Sequence, residues 1–356
     1  MKRKLYWVIA SFCISLTLVL ASCGKSASTS TTLPVSPKSI TSSTTAVATS
    51  SLSSAPGIGV IKTITVETDP DVLLYGPNTG EILVTYEEAD ETDIISDAAN
   101  IVTPGQTAGG TAFGVYDSGK NEFFTIGSYN NGNVIPDSPN AQPTPFNVPF
   151  GEGFASAGVA YDSNKGEILI ANGPGNDIAV VSDSTNTQTT TIPLGFSPDG
   201  IIYDAKMGEI FVSDPYPNIV EVISDSAPYN VVALVKLPSQ SDPSALAYDS
   251  VKGEIFVIDS LSDAVSIISD SSNKVITTVT FPKVSPHALV YDSGKGEIFV
   301  ACGNAVSVIS DSNNTIIANV PVGGYLNALA YDAAKGEVFV SNGSINAVSV
   351  ISDSSQ

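Results

Sequence analysis

The sequence predicts an all-β chain, a seven-bladed β-propeller of four-stranded antiparallel blades closed by an N-terminal strand that completes the last blade. Three observations predict it. A unit marked by Tyr recurs seven times; the apolar runs inside each unit are short and rich in β-branched and aromatic residues; and the last unit lacks a strand that the segment before the first unit can supply.

The marker falls at Tyr75, Tyr116, Tyr161, Tyr203, Tyr248, Tyr291 and Tyr331, in steps of 41, 45, 42, 45, 43 and 40 residues. In the unit around Tyr291 the runs HALVYD, EIFVAC, AVSVISD and KVITTVTF give four strands. Between the first two, DSGKGE offers an Asp that can accept backbone N–H groups ahead of it and a Gly for the residue with positive φ. SDSSN and SDSNN supply similar chemistry between the last two. Runs such as EIFV and AVSVI are apolar on both faces, so each small sheet must be covered on both sides. A ring of blades does this without the capping units that an open stack requires.

The final unit stops at AVSVISDSSQ, three strands long. VIKTITVETDPDVLLY, from Val60 to Tyr75, lines up with VITTVTFPKVSPHALVY, from Val275 to Tyr291, so the N-terminal segment is expected to enter the last blade. Blade 2 departs most: Asn121 replaces the turn Gly, the third strand shrinks to GNVIPDS, and the Pro-rich PDSPNAQPTPFNVP follows. Blade 1 has Gly76 and Pro77 where the others have Asp and a small residue.

Residues 58–356 form the propeller; two other segments precede it. Residues 1–22 read as a lipoprotein signal peptide, with Lys2, Arg3 and Lys4 ahead of an apolar run from Leu5 to Ala21 that is short for a membrane span. Leu20-Ala21-Ser22-Cys23 resembles the lipobox of bacterial and archaeal lipoproteins, and the resemblance implies lipidation of Cys23 and an extracytoplasmic, lipid-anchored location at the cell surface or outer envelope. Residues 23–57 carry that Cys and a disordered tether; from Gly24 to Gly57, 18 of 34 residues are Ser or Thr, either a bare linker or an O-glycosylated one. Cys13 leaves with the signal, so Cys302 remains as the single free thiol and no internal disulfide forms.

The repeat YD-x-x-K-G-E-I-F-V followed by A-V-S-V-I-S-D resembles the YVTN-type β-propeller repeats of secreted and surface proteins of archaea and bacteria, over residues 58–356. The resemblance implies the fold and says little of activity, because one fold hosts many functions.

Composition narrows the partners. A net charge of -21, or -24 once the signal's three basic residues are gone, disfavours nucleic acid and anionic lipid heads. Much of the acidity is structural: six Asp after the marker Tyr, seven Glu opening the second strand and six Asp in the Ser-Asp that ends the third make 19 of the 36 acidic residues. One His and one mature free Cys build no multi-histidine or thiolate metal site, and no phosphate loop or G-x-S-x-G elbow occurs.

Chain direction puts the repetitive turns on one face of the ring and the variable loops on the other, where selection places particular side chains. Four residues before each marker lie Asp71, Ala112, Ala157, Asp199, Ser244, His287 and Asn327, at the mouth of the central channel. Asp71, Asp199, Ser244, His287 and Asn327 are candidate ligand contacts, with calcium a possible ion for such oxygens; a solvated rim accounts for the same residues. Tyr129, Tyr216 and Tyr325 in the variable loops are candidate contacts for a protein, glycan or envelope component, or rim residues packed on neighbours. The expectation is a monomeric, lipid-anchored surface binding module. The alternatives are a metal-assisted hydrolase or lactonase, as in gluconolactonase-like propellers that hold a divalent ion with channel carboxylates and Asn, and a purely structural envelope protein. Two sequons, at Asn313 and Asn342, are expected in loops.

Overall fold

A computed structural model describes residues 57–353 other than 87–88, 90, 106–109, 128–130, 148–155 and 282. The expectations for the signal peptide, Cys23, the tether and Tyr129 lie outside the described residues. Among those described, no helix is long and apolar enough to cross a membrane, which bears on helices alone.

Alternation of short apolar runs with tight turns produces seven antiparallel sheets of four strands. Blade 1 comprises Val72–Gly76, Glu81–Thr85, Thr92–Ser96 and Ile101–Pro104, hydrogen-bonded in that order. Blades 2 to 6 repeat the plan over 111–147, 156–193, 201–236, 243–280 and 286–321. Blade 7 contains Leu326–Asp332, Glu337–Asn342 and Ala347–Ser352. Its outermost strand is Gly59–Thr65, antiparallel to Ala347–Ser352 with Gly59 opposite Ser352 and Thr65 opposite Ala347. First strands of successive blades touch in an unbroken cycle that includes blade 7 against blade 1, so they line the ring's axis.

Three local expectations need correction. KVITTVTF is the outer strand of blade 5, Lys274–Thr280, rather than part of the blade that contains Tyr291. The third strand of blade 2 keeps the usual six residues, Asn131–Pro136, and it is the fourth, Thr144–Asn147, that the prolines shorten. The sequon residue Asn342 ends a strand and is fully buried, its side-chain amide donating to the Gly323 carbonyl, so only Asn313 is exposed in a turn.

The repeated turn works as its residues dictate. In blade 6, Asp292 Oδ1 accepts the N–H groups of Gly294 at 2.7 Å and Lys295 at 3.2 Å, and Gly296 follows at φ 69°. Asn121 takes the same left-handed conformation in blade 2, at φ 56°, which Asn tolerates better than most residues. A side chain at Gly253 would also collide: its Cβ would lie 2.2 Å from Asp270 Oδ2.

Blades adhere through apolar faces. Phe124, Phe211, Phe256, Phe299 and Phe339 lie at equivalent places in their second strands and are fully buried. Each joint between blades has its own cluster, for example Phe299, Val306 and Val308 of blade 6 against Val338, Val340 and Leu326 of blade 7. Truncating one such Phe to Ala removes roughly 3–5 kcal/mol. The joint of blades 1 and 2 is thinnest among the described residues: Leu83, Phe123 and Ile135 form its buried cluster.

On the repetitive face, lysines reach across six joints to the terminal Asp of the next blade's third strand. These are Lys120 to Asp183 (3.7 Å), Lys165 to Asp225 (3.4 Å), Lys206 to Asp270 (3.7 Å), Lys252 to Asp311 (3.2 Å), Lys295 to Asp353 (3.7 Å) and Lys335 to Asp97 (3.7 Å). The last of these spans blade 7 to blade 1. At the joint of blades 1 and 2, Thr79 occupies the lysine's place and its hydroxyl donates to Asp137 Oδ1 at 2.5 Å. Gly76 stands there without a side chain because Asp137 Oδ1 and Phe123 Cζ each lie 2.7 Å from where its Cβ would be.

Two outcomes are expected. Ile64, buried between blades 7 and 1 from the N-terminal strand, should cost about 2–5 kcal/mol when changed to Ala in denaturant unfolding, and deletion of residues 58–66 should lower the melting temperature further. Gly76→Asp would install the residue found at six other blades yet should destabilise the protein by about 1–3 kcal/mol through overpacking, measured the same way.

Candidate functional site

The variable face gathers the loops between second and third strands and the connections into each first strand. At the starts of the first strands His287, Asn327 and Ser244 are hydrogen-bonded to neighbouring segments. His287 of blade 6 has Nδ1 3.3 Å from the Ser285 carbonyl oxygen and Nε2 against the Leu326 carbonyl oxygen at the start of blade 7. Its ring stacks on Tyr325, with centroids 5.5 Å apart and planes 3° from parallel. Asn327 of blade 7 donates to Asp69 Oδ1 at 3.3 Å and to the Pro70 carbonyl at 2.9 Å, ahead of blade 1. Ser244 Oγ lies 3.0 Å from Ser260 Oγ, and the Ser244 carbonyl accepts the hydroxyl of Ser213 from blade 4 at 2.8 Å. Asp71 is half-buried, with its N–H donating to the Thr85 carbonyl at 3.0 Å. Ala112 contributes no polar group, and Ala157 lies in the strand Ser156–Asp162.

Asp199 differs from the rest. Burial, and then the neighbouring Asp242, push its carboxyl up to about 6. Gly200, next to it, allows the close approach of blade 5: a Cβ there would be 2.2 Å from the Ser244 carbonyl oxygen.

A further polar layer lies one step outward and was missed in the sequence. The residue five after each second-strand Glu is Tyr86, Gly127, Asn172, Asp214, Asp259, Cys302 or Asn342, different in most blades. Asp259 is fully buried, accepts the Ser266 hydroxyl at 2.6 Å and is pushed up to about 6 by burial. Asp214 is equally buried, accepts the Tyr216 N–H at 3.2 Å and is raised by burial; Glu221, also buried, is raised by burial and then by Asp214. Tyr86 donates to Asp93 in the matching place of blade 1. The signal that would have found this layer is the one used for the channel mouth, a position at which otherwise uniform blades disagree.

Blades 4 and 5 therefore hold carboxyls that keep protons more readily than ordinary ones, which suits them to exchange a proton near neutrality. Cys302 is no nucleophile: burial pushes its thiol up to about 12. Among the described residues, no group of three or more His, Cys, Asp or Glu is placed to hold a metal ion. Two of the loop tyrosines project outward: Tyr216 is 89% exposed and Tyr325 61%.

Asp199 makes a pH prediction. Its folded value, about 6, lies above the ordinary carboxyl value, so the folded state binds the proton more tightly and stability declines as pH rises through about 6. Asp199→Asn should raise the melting temperature at about pH 8 and leave it nearly unchanged at about pH 4.

No family model matches the chain, and no curated protein matches it. Among solved structures, a streptogramin B lyase superposes with a TM-score of 0.68 at 12% identity, covering 82% of this chain and 96% of that one. The WD40 β-propeller domain of Doa1 gives 0.69 at 13% identity, over 84% and 98%. At these identities the likeness is one of fold. The chain is a seven-bladed β-propeller, an architecture that fits a protein-interaction module and is also found in a lyase.

Proposed function

We propose that the protein is a lipid-anchored cell-surface module, of the YVTN-repeat kind, that binds a protein, glycan or envelope component through its variable face. The observation that carries this reading is the set of exposed side chains on that face. Tyr216 and Leu261 project from blades 4 and 5, Ile345 from blade 7, and Tyr325 from the connection between blades 6 and 7. Tyr325 is pre-ordered: its ring stacks on His287 and its N–H donates to Ser344 Oγ at 2.9 Å. A rigid aromatic on a fixed loop loses little entropy on binding, which favours it as an anchor. The lipobox at Cys23 and the Ser/Thr-rich tether support anchoring and reach.

The second reading is a metal-assisted hydrolase or lactonase. It draws on Asp199 and Asp259, both pushed up to about 6, and on the occurrence of this fold in a lyase. Asp71, Asp199 and Asn327 would be its oxygen ligands for calcium or a similar ion. A purely structural envelope role is the third reading.

Binding is tested by cross-linking the full chain in the cell envelope and by probing a glycan array. Tyr216→Ala combined with Tyr325→Ala should cut the retained partner at least about tenfold, the effect of losing contacts worth about 1–2 kcal/mol, while the melting temperature stays within about 2 °C. Metal analysis of the purified protein, with melts in the presence and absence of a chelator, tests the second reading. An ion retained in stoichiometric amount and lost in Asp199→Ala would bring the enzyme forward.

A further inference from the structure

Six of the seven joints carry a lysine ammonium on the repetitive face. Lys120 shows the arrangement most fully: its Nζ lies 3.9 Å from Glu122, which opens the second strand of its own blade, and 3.7 Å from Asp183, which follows the third strand of the next. At the joint of blades 1 and 2 the matching acids are Glu81 and Asp137, and Thr79 takes the lysine's place. Asp137 is 3% exposed and its carboxyl receives neutral donors: the Asn78 N–H at 2.9 Å, the Thr79 hydroxyl at 2.5 Å and the Tyr116 hydroxyl at 3.0 Å. These donors satisfy its hydrogen bonds and do not balance its charge. No lysine among the described residues pairs with Glu81 or Asp137.

A crevice opens beside the same two acids. It encloses about 400 Å³, open solvent included, between Leu83 and Ile94 of blade 1 and Phe123 and Ile135 of blade 2, with Glu81 and Asp137 also in its lining. Strand register explains why this joint is open. Leu83 pairs with Ile94 as Phe299 pairs with Val308 in blade 6, so Leu83 stands where blade 6 has a buried phenylalanine. Gly105, whose N–H donates to the Thr92 carbonyl at 2.7 Å, stands where blades 3 to 6 have Ile192, Val235, Val279 and Val320. Those four side chains are buried in the clusters that seal the following joint. Blade 1 thus lacks both a ring and a β-branched side chain on the wall that faces blade 2.

Apolar walls with carboxyls at one end suit an unbranched chain that ends in an ammonium, whose methylene stem is covered while its head is paired. Ile101 favours a polypeptide as the source of that chain. It lies two residues from Thr103, the partner of Ile94, and so on the face of blade 1 that looks toward blade 2, where it is 58% exposed. An apolar residue next to the lysine would cover it, which a free alkylamine cannot do.

We propose that the crevice between blades 1 and 2 binds a lysine side chain of a partner polypeptide, its ammonium held between Glu81 and Asp137 as that of Lys120 is held between Glu122 and Asp183. Burial, and then Asp137, raise the Glu81 carboxyl, which agrees with two acids sharing one end of the crevice. The site is distinct from the loops of Tyr216 and Tyr325, so it stands or falls independently of binding at the variable face.

The test uses the full chain and an array of peptides with one central Lys flanked by varied apolar and polar residues. Each peptide has a copy with norleucine at the centre, which keeps an aliphatic stem and loses the ammonium. Lys peptides with an apolar neighbour should bind at least about tenfold more tightly than their norleucine copies. Glu81→Gln should remove most of that difference. Thr79→Lys, which supplies the residue found at other joints, should abolish binding and serves as the second variant should Glu81→Gln fail to fold. Equal binding of Lys and norleucine peptides, unchanged binding in either folded variant, or competition by n-butylammonium as strong as that of the best peptide would overturn the proposal. Binding that appears only when Lys25→Ala and Lys38→Ala are combined would also overturn it, assigning the crevice to the chain's own N-terminal segment.

Discussion

A sheet with two apolar faces is stable only between two others, and everything in this molecule follows from that constraint. Seven blades, each offering runs such as EIFV and AVSVI, satisfy it by closing into a ring. The buried phenylalanines of the second strands and the interlocking Val and Ile of the third give each joint its adhesive. The same constraint explains why the outer strand of blade 7 arrives from the other end of the sequence, since a blade lacking that strand would leave buried backbone and side chains of Ala347–Ser352 uncovered.

The repeated polar residues serve two scales at once. Asp292 shapes a turn through Oδ1 and lies beside Tyr331 and Asp353 of the next blade. Lys295 belongs to that turn and reaches Asp353 across the joint. Local geometry and ring assembly therefore draw on one set of side chains, which accounts for the uniformity of YD-x-x-K-G-E around the ring. Lys206 shows that the joint matters more than the position: it sits one residue earlier than in other blades, with Met207 in the usual place, and still reaches Asp270.

The blades, their turns and the strand completing blade 7 were legible in the sequence because periodicity and turn chemistry are local. The lysine and carboxyl joints were not. Their partners, such as Lys120 and Asp183, lie far apart in the chain, and the acids read as turn chemistry alone. For the residues expected at the channel mouth, nothing in the sequence signalled that His287 and Asn327 bond to the segment that follows in the ring. The buried layer of Asp214, Glu221 and Asp259 escaped because a carboxyl inside an apolar strand end looks, in one dimension, like the start of a loop.

Chain direction in blade 7 has a geometrical consequence. Gly59 and Ser352 face each other at the repetitive side of the ring, so the chain enters and leaves the propeller there, opposite Tyr216, Tyr325 and the other variable loops. A fluorophore, fusion partner or immobilising linker joined near either of these residues stands clear of the variable loops. The propeller can be displayed on a solid support in one orientation, as a dish opening away from its stem.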